Sequence, residues 1–342
     1  MVERIDGAST RGGALFAIEH HDVQVNGVNL HYAAAGDPDA PLVVLLHGFP
    51  ECWYSWRHQL PALAAAGYRA VAPDQRGFAR SERPEAVEAY ALPHLVGDVV
   101  MLARELGAER FAVVGHDWGA PVAWQTALFR PDLVRGVVGM SVTPPLPRQG
   151  ATPPLAVMDA LFQGRFYWNY FNRPGVADAE FAADPERTFR AFLYGASGDN
   201  PRNDPQPPQP LLPADGSFLG ALDDTGQLPS WATAADIAVF AEEYAKNGFT
   251  GGLNLYRNID RNWELSAAWD RLPLLVPGLY VYGDRDLVGS FPGMEGVIDA
   301  LPQLYPTLKP HLVLPGCGHW TQQERPAEVN EALLDFLADL PA

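Results

Sequence analysis

The stretch Val113-Val114-Gly115-His116-Asp117-Trp118-Gly119-Ala120-Pro121 constrains this chain more than any other. Phe111 to Val114 reads as a buried strand and Pro121 to Phe129 as a helix, with almost no chain left to join them. A strand that turns at once into a helix brings two backbones nearly into contact. It therefore needs small residues around the turn and holds one residue in a strained conformation. Gly115 stands two before Asp117, and Gly119 and Ala120 stand two and three after it. An elbow of this kind, G-x-S-x-G in its commonest form, lifts one side chain clear of a sheet. Here the lifted side chain is an aspartate.

The rest of the chain supplies the sheet. His21 to Val25, Asn26-Gly27 and Val28 to Ala34 form a hairpin signal. Pro41 to Leu46 is a continuous apolar run, as in a parallel strand covered on both faces. Ser55 reads as the cap of a helix over Trp56 to Ala66, stopped by Gly67. Tyr68 to Ala72 follows as a strand, Leu95 to Leu106 as a helix ending at Gly107, and Leu133 to Met140 as a strand. This alternation predicts an α/β fold, a mostly parallel twisted sheet with helices on both faces.

After Ser141 the composition changes. A Pro-rich loop leads into aromatic helical stretches, Arg165 to Asn172, Pro185 to Tyr194 and Asp236 to Asn247. Gly195 to Trp231 is dense in Pro, Gly, Asn and Asp; a connection of that length is more often functional or mobile than inert. Segments 144–165 and 195–232 are expected to border the pocket. Strands return at Leu279 to Tyr282 and His311 to Leu314, and an amphipathic helix, Pro326 to Leu340, closes the chain. The division predicted is an N-terminal tail over 1–20, a core of 20–144 and 270–342, and a helical cap inserted over 145–269.

Composition excludes several classes. The 342 residues are 47% apolar, enough for a sizeable core, and the formal charge of −17 argues against nucleic acid or an anionic membrane as partner. Met1 to Asp22 lacks the apolar stretch of a secretory signal, and no apolar run has the length of a membrane span. Cys52 and Cys317 have no metal-ligand spacing. They suit a reducing compartment, with a single disulfide as the lesser option. The reading is a cytoplasmic protein with no metal and no cofactor.

In an open parallel sheet, ligands bind at the carboxyl ends of the strands. His47, Asp74, Asp117, Asp286 and His319 all follow predicted strands. Asp117, Asp286 and His319 also come in the chain order nucleophile, acid, base. Any one of them alone would be an ordinary turn or loop residue; the set, in that order, points to a site. A carboxylate is a weak base and a serviceable nucleophile toward a strained or activated sp³ carbon, giving an ester that water then attacks. The elbow amides and the following helix N-terminus favour the anion. His319 is placed to take a proton from water while Asp286 holds its tautomer. The backbone N–H groups of Phe49 and Trp118 are the candidate oxyanion donors, since Pro50 has none to give. Phe49, Trp118, Trp320 and Trp53 would make the pocket apolar.

With these motifs in hand, the sequence resembles the α/β-hydrolase-fold epoxide hydrolases over nearly all of the chain after about residue 20. The resemblance rests on His47-Gly48-Phe49-Pro50, Gly115-His116-Asp117-Trp118-Gly119, Gly283-Asp284-Arg285-Asp286 and Gly316-Cys317-Gly318-His319-Trp320-Thr321-Gln322. It extends to Arg165 to Phe171, Pro174 to Ala177 and Asn254 to Asn258. It implies Asp117 as nucleophile, His319 as base, Asp286 rather than Asp284 as the orienting acid, and Tyr167 and Tyr256 as the pair that opens the ring. An epoxide and water are then the partners and a vicinal diol the product. Ala79 departs from the pattern, since relatives usually have glycine there.

Two other readings share the aspartate. Haloalkane dehalogenases generally carry a halide-binding Asn, or a second Trp, and Phe49 stands at the Asn position. Fluoroacetate dehalogenases typically place Arg after the nucleophile, where this chain has Trp118. A non-catalytic receptor of this fold would tend to lose catalytic positions, all of which are filled here. An esterase would need serine at the elbow.

Overall fold

The computed structural model describes residues 17–341 apart from 149, 214, 215 and 223. Most of the predicted tail, 1–20, therefore lies outside the described residues. Among these, eight strands form one sheet: β1 (Glu19–Val25), β2 (Val28–Ala35), β3 (Leu42–Leu46), β4 (Arg69–Pro73), β5 (Phe111–His116), β6 (Val134–Met140), β7 (Gly278–Gly283) and β8 (Leu312–Leu314). Their order is β1-β2-β4-β3-β5-β6-β7-β8. β2 runs antiparallel to β1 and β4, and every other pairing is parallel. The β1–β2 turn puts Asn26 and Gly27 at φ 49° and 79°, the left-handed pair that a two-residue hairpin requires.

Every residue of β3 and β5 is buried, which explains their unbroken apolar runs. The helices beside the sheet are α1 (Gln59–Ala65), α2 (Leu92–Glu105), α3 (Gly119–Phe129), α12 (Met294–Leu304), α13 (Thr321–Glu324) and α14 (Pro326–Ala338), and the remaining helices of the described residues lie between β6 and β7. Two glycines of β6 show that both faces are covered. A methyl group on Gly136 would strike Phe336 and Leu340 at the α14 end, and one on Gly139 would strike Trp124 of α3. Residues three apart on a strand point to opposite faces.

Ser55 is not a helix cap. It lies in a short 3-10 turn over Trp53–Trp56 and gives its hydroxyl to the Cys52 carbonyl, while α1 starts later, at Gln59. The local sequence offered a good capping residue, but the tight turn leaving β3 used it first. Gly67 does end α1, at φ 87°.

Between β6 and β7 lie α4 (Pro154–Phe162), α5 (Tyr167–Phe171), α6 (Val176–Ala182), α7 (Pro185–Gly195), α8 (Phe218–Ala221), α9 (Ala234–Tyr244), α10 (Thr250–Arg257) and α11 (Ile259–Leu265). The Pro-rich connection is pinned rather than loose. Asn203 donates to the carbonyls of Gly195 and Ser197, Leu212 N donates to Arg165 O, and the Glu180 carboxylate accepts from Phe218 N and Leu219 N. Tyr244 gives its hydroxyl to Glu51 O, and Asn258 donates to Val87 O, so these helices are bonded to the sheet unit. No helix among the described residues is long and apolar enough to cross a membrane.

Candidate active site

Asp117 leaves β5 at φ 48°, the left-handed region that costs an L-residue on the order of 1–3 kcal/mol and persists only where its surroundings enforce it. The enforcement is steric. A methyl on Gly115 would lie 2.0 Å from the carbonyl oxygen of Gly119, and one on Gly119 would lie 2.1 Å from that of Leu46. One on Gly48 would lie 2.3 Å from Asp117 Oδ1. The small residues of the elbow are thus required on both sides of Asp117. Ala79, the departure noted in the sequence, is buried and sits at φ 43°, a conformation that explains a preference for glycine there.

The two oxygens of Asp117 have separate environments. Oδ1 accepts from the backbone N–H of Phe49 at 2.7 Å. Oδ2 faces His319 Nε2 at 3.6 Å. Trp118 is the N-cap of α3, so its own N–H belongs to the end of the helix that lacks intrahelical acceptors. Burial opposes the charge on Asp117. The hydrogen-bonding and charge of His319, the charge of His116 and the Phe49 amide outweigh it, and hold the carboxyl below its ordinary range.

His319 Nδ1 lies 2.9 Å from Asp286 Oδ1, which also accepts from Val288 N. The second oxygen of Asp286 is buried and has no partner among the described residues. Asp284 is exposed and takes the Gly316 amide at 2.7 Å, so it is a turn residue. Burial favours neutral His319, but Asp286 and Asp117 overcome it and raise the imidazole well above its ordinary pKa. The two carboxylates thus favour the protonated form of the imidazole between them.

Tyr167 of α5 and Tyr256 of α10 come together, with ring centroids 5.9 Å apart and planes at 72°. Tyr256 packs edge-on against Trp118 at 5.0 Å and Phe49 at 5.7 Å. Burial raises the pKa of both phenols, and the Asp117 charge raises each further, so both stay protonated within the field of that carboxylate. α10 reaches this position because Gly251 and Gly252 lie against Gly77 and the Phe49 ring, where methyl groups would stand 2.1 and 2.2 Å from their neighbours.

Trp320 lies beside the histidine, buried, with its indole N–H on Leu193 O. Trp53 does not join this group: it packs edge-on against His20 and donates to Glu243. His47 and Asp74 are structural as well. His47 is bonded to Gly48 O and Gln75 N, and Asp74 to His31 and Trp53 N. Cys52 and Cys317 are buried free thiols.

Several groups around the site carried no readable signal. Ser141, at φ 69° just beyond β6, places its hydroxyl 3.0 Å from His319 Nδ1. His116 Nε2 lies 2.7 Å from the His319 carbonyl and must carry a hydrogen, since a carbonyl only accepts. Its Nδ1 lies 2.8 Å from the Glu51 carboxylate, which also takes the side-chain amides of Gln322 and Gln323. Only the fold brings these residues together.

A family profile described as "alpha/beta hydrolase fold" matches residues 41–326. The chain is 44% identical to Epoxide hydrolase A of Mycobacterium tuberculosis, over 93% of this chain and 97% of that one. It is 42% identical to Epoxide hydrolase 1 of Siraitia grosvenorii, over 94% and 98% respectively. The crystal structure of Epoxide Hydrolase A from Mycobacterium thermoresistibile superposes with a TM-score of 0.87 at 44% identity, covering 95% of this chain and 99% of that one. With likeness of that extent, the chain belongs to the α/β-hydrolase fold family and, within it, to the epoxide hydrolases.

Proposed function

We propose that this chain hydrolyses an apolar epoxide to a vicinal diol through a covalent ester on Asp117. The observation that carries the reading is the division of labour between the two carboxylate oxygens. Oδ1 is already bonded to an amide donor, while Oδ2 faces the histidine. In this scheme Oδ2 attacks an epoxide carbon, the C–O bond breaks, and its electron pair goes to the epoxide oxygen. That alkoxide is strongly basic and takes a proton from the phenols of Tyr167 and Tyr256, the pair that opens the ring.

The proton count closes. The new hydroxyl takes its proton from a phenol, the phenolate regains one from solvent, and the imidazolium of His319 gives one up to solvent once the ester has formed. Esterification also removes the Asp117 charge that helped keep His319 protonated, so the imidazole becomes free to act as base. It then takes a proton from water as the water oxygen bonds to the ester carbonyl carbon, while Asp286 supports the charge that returns. Oδ1 becomes the oxyanion, held by Phe49 N–H and Trp118 N–H. Collapse releases the diol and leaves the carboxylate and imidazolium as they began.

The helices between β6 and β7, 145–269 in the division given above, act as a cap that carries both phenols. The pocket is apolar, bounded by Phe49, Trp118 and Trp320. No cofactor or metal takes part in this scheme, and the buried free thiols suit a cytoplasmic setting. The test is diol formation from styrene oxide beside halide release from chloroalkanes and fluoroacetate. Diol without halide, lost in Asp117→Asn, supports the reading; halide release as the main activity overturns it.

A further inference from the structure

Glu324 is used by none of the steps above, yet it ends the short helix α13 with its carboxylate on the backbone amides that flank His319. Oε2 accepts from Gly318 N at 2.9 Å, and Oε1 accepts from Trp320 N at 3.1 Å. The amides immediately before and after His319 are therefore held by the two oxygens of one carboxylate. The amide of His319 itself donates to Ala196 O at 2.8 Å. Three consecutive N–H groups are fixed.

The same carboxylate reaches the segment between β6 and β7. Oε2 also accepts from Gly198 N at 2.9 Å, with the Ser197 hydroxyl at 3.4 Å. The two backbones touch here. A methyl on Gly198 would lie 2.1 Å from Gly316 O, and one on Gly318 would lie 2.3 Å from Gly198 N. Hydrogen bonds to a charged acceptor are stronger than neutral ones, and several on one carboxylate hold a loop in a single geometry. Burial nevertheless disfavours this charge and, against the three amides, pushes the carboxyl up to about 7. The fold keeps an acid where its charge is costly, at the point where the histidine loop meets the inserted helices.

We propose that Glu324 is a positioning residue for the second half of the reaction, clamping the backbone on both sides of His319 and tying it to the Ala196–Gly198 turn. This rests on the reading of His319 as the base for ester hydrolysis. Alkylation uses Asp117 and the phenols and does not need the clamp. Hydrolysis needs the imidazole aligned on an attacking water, where a displacement of about 1 Å is worth on the order of 10² in rate.

Glu324→Gln keeps the volume but offers one acceptor oxygen and turns an NH₂ toward amides that also donate. Rapid-mixing kinetics on the intact protein separate the two steps. The expected result is alkylation within about threefold of wild type and ester hydrolysis slower by about tenfold or more, so that kcat and KM fall together and kcat/KM is kept. Glu324→Asp retains the charge and is read in the same way; it recovers part of the loss, and it serves alone should the Gln variant not fold. Hydrolysis at the wild-type rate, or both steps slowed equally as a general loosening would give, overturns the proposal. His319→Gln serves as the control. If it forms no ester on Asp117, the covalent reading fails and this proposal falls with it; if it does, an unchanged Glu324→Gln defeats the clamp alone.

Discussion

The amide of Phe49 donates to Asp117 Oδ1 at 2.7 Å, so the donor that an oxyanion would need is already engaged with the oxygen that would become it. Gly48, next to Phe49 in the chain, packs against the Asp117 side chain with no room for one of its own. Gly48→Ala would place a methyl 2.3 Å from Oδ1 and 2.7 Å from Cγ. The expected outcome is a fall in alkylation of about 10²-fold or more, since Asp117, the proposed nucleophile, would move off its line of attack. Single-turnover kinetics on the folded variant check it, and unchanged alkylation would contradict it.

The phenol pair yields a second expectation. Tyr167→Phe and Tyr256→Phe each slow alkylation by about 10²-fold, within the range for a lost general acid, and together nearly abolish it. Both phenols have pKa values raised above the ordinary 10.0, by burial first and by the Asp117 charge. Alkylation by the wild type should therefore show no descending limb from these groups below pH 10. Pre-steady-state rates across pH decide both points.

His319→Gln should accumulate the ester, because alkylation does not need the base. Asp286→Asn should slow ester hydrolysis by about 10²–10⁴-fold by removing the negative charge that fixes the imidazole tautomer and supports the imidazolium. The Ser141 hydroxyl, 3.0 Å from Nδ1, remains as a second partner for the imidazole. Intact-protein mass spectrometry after mixing with a good epoxide should show the adduct in both variants. No adduct in His319→Gln would count against the base role.

The Asp117–His319 pair should also shape stability against pH. His319 is raised above 6.5 in the fold, so its contribution is full below 6.5 and is lost as pH rises through the raised value. Asp117 is lowered below 3.8, so its contribution is full above 3.8 and is lost as pH falls through the lowered value. The pair stabilises most between these two ordinary values. The stability advantage of wild type over His319→Gln should therefore shrink from pH 6 toward pH 9 in thermal melts. An advantage that grew over that range would have the wrong sign.

What the sequence made legible was local. The elbow showed because close backbones demand Gly115 and Gly119, and the inner strands showed because β3 and β5 are buried along their whole length. The Asn26-Gly27 turn showed because few residue pairs accept its dihedrals. Tyr167 and Tyr256 were legible only by resemblance, since an aromatic cluster is ordinarily core packing and the two glycines that let α10 approach also weaken its helical signal. Glu51, His116 and Ser141 meet partners far away in sequence, as in the His116 bond to the His319 carbonyl, and Glu324 adds the distant Gly198 amide to its nearby ones; no spacing announces them. Ser55 misled because a good capping residue is equally good at a tight turn.

The central claim is that an oxygen of Asp117 bonds to substrate carbon before water adds. One turnover with enzyme in excess, run in heavy-oxygen water and followed by peptide mass spectrometry, tests it directly. The account predicts an unlabelled first diol and label in the peptide that contains residue 117. A first diol carrying the solvent oxygen, with that peptide unlabelled, would contradict it.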